Sequence, residues 1–186
     1  MYAKTLYCYI LLVFGNGVLW TNHERRIPFV HATQIVFTNV QCHSENKTLC
    51  EFKQCELKLL KRGFSELNIY LNVKQKADNV TVRAELFRKT NGYTPFMYNF
   101  TVDFCDFKRN PQRNPVLHIF FRFLERNSNL NHTCPYDHDV ILKNFVMPDG
   151  VLMLLPYPKG DYMVQLNFAA RNKWLIFVKV FVTLTE

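Results

Sequence analysis

Residues 93–105, YTPFMYNFTVDFC, alternate without interruption, and one asparagine among them orients the ribbon. Phe96, Tyr98, Phe100, Val102 and Phe104 share one parity, while Met97, Asn99, Thr101, Asp103 and Cys105 share the other. A period of two sends successive side chains to opposite faces of a strand. Asn99 opens the triplet Asn-Phe-Thr, a glycan acceptor, and a glycan needs water. The ring-bearing parity is therefore expected to point inward. Each aromatic side chain has about 150–250 Å² to hide, and soluble proteins rarely expose more than a few hundred Å² of contiguous apolar surface. Either a second sheet or a bound apolar molecule has to cover this face.

The same period recurs elsewhere. Leu67, Ile69, Leu71 and Val73 alternate within residues 65–74, as do Val80, Val82, Ala84 and Leu86, and later Tyr162, Val164, Leu166 and Phe168. Residues 34–42 read as a first strand, 42–55 as a charged loop, and 173–185 as a strongly β-prone last strand. A two-residue turn at Asn91-Gly92 would set Leu86 against Met97, an inward residue beside an outward one. A three-residue loop, Thr90-Asn91-Gly92, instead pairs Leu86 with Phe96 and Ala84 with Tyr98, with Gly92 at a positive φ. Residues 115–130 change to a helical period: Val116, Phe120, Phe123 and Leu124 fall on one face, with Leu117 and Phe121 beside it, and Pro115 suits a first turn. Short strands between turn signals, with one helix inserted at about residues 115–128, predict an all-β sandwich. The stretch from Met147 to Tyr162, rich in proline and glycine, reads as loops and a sheet edge.

Lys4, the apolar run 6–14 and the small residues Gly15 and Gly17 have the layout of a signal peptide over residues 1–17, with cleavage as late as 22. Residues 18–33 follow as a polar lead-in, and 34–186 as a single domain. Four glycan acceptors, Asn46, Asn79, Asn99 and Asn131, agree with a secreted, extracellular glycoprotein. Once Cys8 leaves with the leader, five cysteines remain. In an oxidising compartment they should give two disulfides and one thiol, in a pairing that spacing does not fix. The formal charge is +8, one less without Lys4. A basic secreted chain meets anionic headgroups, acidic glycans or an acidic protein surface. Lys58, Lys61 and Arg62 form a basic edge, either simply solvated or suited to an anionic membrane surface. The chain has no nucleic-acid-binding motif, and no apolar run reaches the roughly 18 residues that span a bilayer.

The segments FTNVQC, FKQCELKLLKRGFSELNIYLNVK, LFRKTNGYTPFMYNFTVDFC, NPVLHIFFRF, NLNHTCPYDHDVILKN and LPYPKGDYMVQLNF carry a resemblance. From residue 35 to about 184 the chain resembles an insect family of secreted proteins of unknown function, grouped with the chemosensory-hair B proteins. That family is related to the MD-2-related lipid-recognition superfamily. Its most specific pieces are Asn91-Gly92-Tyr93-x-Pro95-Phe96 and His132-x-Cys134-Pro135-Tyr136. The resemblance implies an immunoglobulin-like β-sandwich holding a lipid between its sheets. It also implies the bridges Cys42–Cys55 and Cys105–Cys134, with Cys50–Cys55 as an alternative to the first. The superfamily often ties its N-terminal cysteine to a late strand, and this chain has no cysteine after Cys134.

His132, Cys134, Asp137, His138 and Asp139 make the densest polar cluster. A disulfide would remove Cys134 as a thiolate, and the histidine spacing fits no structural zinc pattern. The cluster reads as a turn-stabilising loop, with no metal or other cofactor. No nucleophile elbow, paired-cysteine redox motif or phosphate loop is present, so the chain is not expected to be an enzyme and no residue is assigned a catalytic role. The expected function is a secreted binder or presenter of a small hydrophobic molecule, a lipid or a semiochemical, in chemosensation or pheromone response. The expected lining is Leu71, Val82, Phe96, Tyr98, Phe100, Phe104, Phe120, Phe123, Val164 and Phe168, with the Tyr98 hydroxyl offered to a headgroup. The alternative is an extracellular module that modulates a membrane receptor or channel without a bound ligand.

Overall fold

The computed structural model describes residues 34–61, 63–148 and 157–185. The leader, the lead-in, Arg62 and residues 149–156 lie outside them. The described residues form eight antiparallel strands: β1 (Gln34–Ser44), β2 (Cys50–Lys61), β3 (Phe64–Val73), β4 (Val80–Lys89), β5 (Tyr93–Asp103), β6 (Val140–Phe145), β7 (Gly160–Ala170) and β8 (Lys173–Thr185). Two α-helices, α1 (Phe104–Arg109) and α2 (Pro115–Arg126), with a short 3-10 turn at Pro111–Arg113 between them, lie between β5 and β6. One sheet runs β1-β8-β7-β4-β5 and the other β2-β3-β6. Phe37, Val178, Val180, Val182 and Leu184 of the first sheet share a core with Leu67, Leu142 and Phe145 of the second. This is the expected all-β sandwich with an inserted helix.

The expected charged loop at 42–55 narrows to 45–49, because β1 runs to Ser44 and Cys50 opens β2. β2 is an edge strand whose Glu51, Lys53, Glu56 and Lys58 dilute its apolar residues, as charge commonly does on an exposed edge. Leu57 reaches the core, while Leu59 is 74 % exposed.

β1 packs against β2 and β3, and two ties join the sheets there. Cys42 of β1 is bridged to Cys55 of β2 with Cα atoms 6.2 Å apart. The buried Ser65 hydroxyl of β3 donates to the Phe37 carbonyl at 2.7 Å. Cys50 is buried and unbridged, so the alternative pairing does not form. On the β5 side the helices are clipped by the second bridge, Cys105–Cys134, with Cα atoms 5.3 Å apart.

The β4–β5 hairpin keeps the three-residue loop, since Lys89 pairs with Tyr93. Farther down it departs from the expected register: Ala84 pairs with Phe100, not Tyr98. Two residues are inserted on β5 opposite Leu86, and Met97 takes φ 55° there. An insertion of two leaves side-chain parity intact, so Phe96, Tyr98, Phe100 and Val102 stay half-buried while Met97, Asn99 and Thr101 are exposed. The positive φ thus sits at Met97, not at Gly92.

β5 stops one residue earlier than its alternation suggests. Asp103 caps α1, its carboxylate accepting from the Asp106 backbone N–H at 2.8 Å. Phe104 therefore leaves the strand and enters the helix, where it remains buried. Pro115 opens α2, whose last turn closes when the Asn127 N–H meets the Leu124 carbonyl at 3.1 Å.

Candidate apolar ligand site

Between the sheets lies a cavity of about 580 Å³, within the roughly 300–1,000 Å³ typical of small-molecule sites. Its walls follow from strand parity. The even-numbered residues of β4, β7 and β8 and the odd-numbered residues of β3 face each other across the gap. Of the ten residues expected to line it, eight do. Leu71 comes from β3, Val82 from β4, Tyr98 and Phe100 from β5, and Val164 and Phe168 from β7. Phe104 of α1 and Phe120 of α2 close the side that the strands leave open.

The other two lie off the lining. Phe96 packs on Tyr162 and Tyr157 with ring centroids 5.8 and 6.2 Å apart, under the Arg88 guanidinium at 5.8 Å. Phe123 packs against the main core. The helix turns Phe121 inward more completely than Phe120. Phe121 meets Phe104 and Phe107 edge-on at 5.4 and 5.5 Å. Lys108, itself largely buried, lies over the Phe121 ring at 4.7 Å and pairs with Glu125 at 2.5 Å, joining α1 to α2.

The lining also includes residues outside the expected set. Val178, Val180, Val182 and Leu184 of β8 were readable from their alternation. Tyr136, which is buried, gave no periodic signal because it sits in a loop, held by its hydroxyl donating to the His132 carbonyl at 2.6 Å. Tyr157 follows the segment outside the described residues. Burial, and then the neighbouring Glu125 charge, push the Tyr136 phenol up to about 12. Burial first, and then Tyr98, raise that of Tyr157. Both therefore remain neutral phenols at physiological pH. Tyr98, Tyr157 and Tyr162 form a small cluster at one end of the cavity, with Tyr98 edge-on to Tyr157 at 6.2 Å.

The polar loop 129–139 is engaged in holding the fold. Cys134 is in its disulfide. Asp139 accepts from the Tyr70 hydroxyl at 2.7 Å, the Asn72 amide at 2.7 Å and the Val73 N–H at 3.0 Å. The Tyr70 hydrogen bond, followed by the Val73 N–H, holds the Asp139 carboxyl below its usual range. His132 and His138 meet Nε2 to Nε2 at 2.7 Å, and the Asn129 amide donates to the Asp139 carbonyl at 2.6 Å.

Asn46, Asn79, Asn99 and Asn131 are all exposed. Lys58, of the basic edge, pairs with the buried Glu66 at 3.4 Å.

Residues 82–164 match the model of a family described as a protein of unknown function (DUF1091). The matched span runs from near the start of β4 into the middle of β7 and includes both α-helices and the Cys105–Cys134 bridge. No curated protein matches the chain.

Proposed function

We propose that this chain is a secreted, glycosylated binder and presenter of a small hydrophobic molecule, a lipid or semiochemical, and has no enzymatic activity. The observation that carries the reading is the 580 Å³ apolar cavity. Left empty, a void of this size would cost on the order of 10 kcal/mol at about 24 cal/mol per Å³. That is comparable to the whole stability of a typical domain, about 5–15 kcal/mol. Water is a poor filler, because a buried water needs two to four polar partners and these walls are almost entirely aliphatic and aromatic. An apolar guest resolves the deficit, gaining about 25 cal/mol per Å² of its own buried surface.

Two disulfides and four exposed acceptor asparagines support an oxidising, extracellular setting. The resemblance to the chemosensory-hair B group supports a chemosensory role.

The test is native mass spectrometry of protein from a secretory host, before and after organic extraction, followed by titration with a fluorescent apolar probe. An extractable guest, or saturable uptake of the probe, is expected. A protein that carries nothing and takes up no probe after extraction overturns the reading.

One feature favours a second reading, an extracellular interaction module without a guest. Leu59 and Leu60 at the end of β2 are 74 % and 52 % exposed. That module would show no probe uptake and would lose its partner on Leu59→Ser and Leu60→Ser substitution.

A further inference from the structure

The cavity lining is buried or half-buried except at four residues among those described: Gln75, Lys76, Arg171 and Lys173. All four lie at one end of the sandwich. Gln75 and Lys76 belong to the β3–β4 loop, while Arg171 and Lys173 belong to the two-residue β7–β8 turn and its flank. The Arg171 guanidinium joins the two elements, donating to the Gln75 side chain at 3.2 Å and to the Lys76 carbonyl at 3.3 Å. The cavity thus reaches solvent where three of the four exposed lining residues are cations.

The charges there are largely uncompensated. Lys76 pairs with Asp78 at 2.9 Å. Arg171 bonds only neutral oxygens, and Lys173 has no carboxylate partner among the described residues. The one acidic residue on the lining, Glu85, lies farther along β4 beside Gln165, accepting from the Gln165 and Asn167 amides at 3.4 and 3.5 Å. The tyrosine cluster is at the opposite end: Tyr162 and Ala170 are about 26 Å apart along β7 at 3.3 Å per residue. Among the described lining residues, the cations therefore stand together at one end of a long apolar interior. A wholly apolar guest would leave Arg171 and Lys173 without a carboxylate, whereas an amphiphile with a negative head would place its tail inside and its head on the rim.

Resting on the carrier reading above, we infer that the guest is a single-chain amphiphile with an anionic headgroup, carboxylate or phosphate, held at Lys76, Arg171 and Lys173. The tail gives most of the affinity, and the rim selects the head and fixes which end enters first.

The experiment measures binding of palmitate, palmitoyl lysophosphatidate and the uncharged hexadecanol to the extracted full-length protein at neutral pH and low salt. The same titrations are made on a variant combining Lys76→Gln, Arg171→Gln and Lys173→Gln. At least one anion should bind about tenfold tighter than hexadecanol, as expected for two or three solvent-exposed charge contacts, and salt should narrow the gap. The variant should lose that advantage while binding hexadecanol as the wild type does, which also shows that its cavity is intact. Preference for palmitate or for lysophosphatidate identifies the head as carboxylate or phosphate. Equal binding of hexadecanol and both anions by wild type, or an anion preference that survives in the variant, overturns the inference and leaves the carrier reading standing. Failure of all three probes to bind overturns the carrier reading itself.

Discussion

Ala84 of β4 stands directly opposite Phe100 of β5, and both line the cavity between the sheets. A small residue facing a ring leaves free space at this level, and this position separates a hollow interior from a packed one. Ala84→Trp should cut apolar-probe affinity about tenfold or more while leaving the thermal midpoint unchanged or raised, because the indole occupies existing space. In a solid core the same change would overpack and cost about 1–3 kcal/mol. Probe titration and thermal unfolding of the same sample give both readings.

The Cys105–Cys134 bridge closes a separation of 29 residues that contains both helices. On the chain-entropy account a loop of this size contributes about 3–4 kcal/mol. A variant with both cysteines changed to serine should lose about that much in denaturant unfolding. It should also lose probe affinity, since Phe104 and Phe120 are no longer clipped over the cavity. A variant as stable as the wild type would show that the bridge does not constrain the helical segment.

Asn46, Asn79, Asn99 and Asn131 all face solvent, so protein from a secretory host should carry glycans on these residues, with Asn99 modified on the outer side of β5. Glycopeptide mass spectrometry checks the occupancy. Asn99→Gln should remove one glycan and leave probe binding unaltered. Loss of binding in that variant would place Asn99 on the wrong side of the strand.

Asp139 gives a pH dependence of definite sign. Its carboxyl is held below the ordinary range, chiefly by Tyr70 and then by the Val73 N–H. A group depressed in the folded state stabilises the protein above its unfolded value, about 3.9. That contribution disappears as the pH falls through this value toward the depressed one. Asp139→Asn should therefore lower the thermal midpoint at neutral pH, and the gap from wild type should close below about pH 4. A gap independent of pH would assign the effect to lost hydrogen-bond geometry and not to charge.

The inward face of β5 was legible in the sequence because two signals coincide at Asn99: a period of two and a glycan acceptor that fixes which parity is wet. The sandwich followed from repeating that period in β3, β4 and β7, with β8 read from its β-prone composition alone. β2 stayed hidden because an edge strand needs few apolar residues, and its alternating Glu and Lys resemble a loop. The departure of Phe104 into α1 was signalled by Asp103 as a helix cap, but the unbroken parity of the preceding residues outweighed it. The insertion at Met97 has no local signature, since it leaves every face unchanged. The rim is the least legible part: Arg171 meets Gln75 across 96 positions of sequence, a proximity that only the closed topology of the sheets creates.

The bridge from Cys42 to Cys55 and the hydrogen bond from Ser65 to Phe37 lie along a single margin, so the two sheets are sewn like pages at a spine. Any swelling that admits a guest parts the sheets most at the fore-edge, where the Cys105–Cys134 bridge fastens helix to loop and rings on the helices span the gap between strands. Amides near the spine should exchange with deuterium last and those of β5 and β6 first, a gradient that shows which way the leaves part.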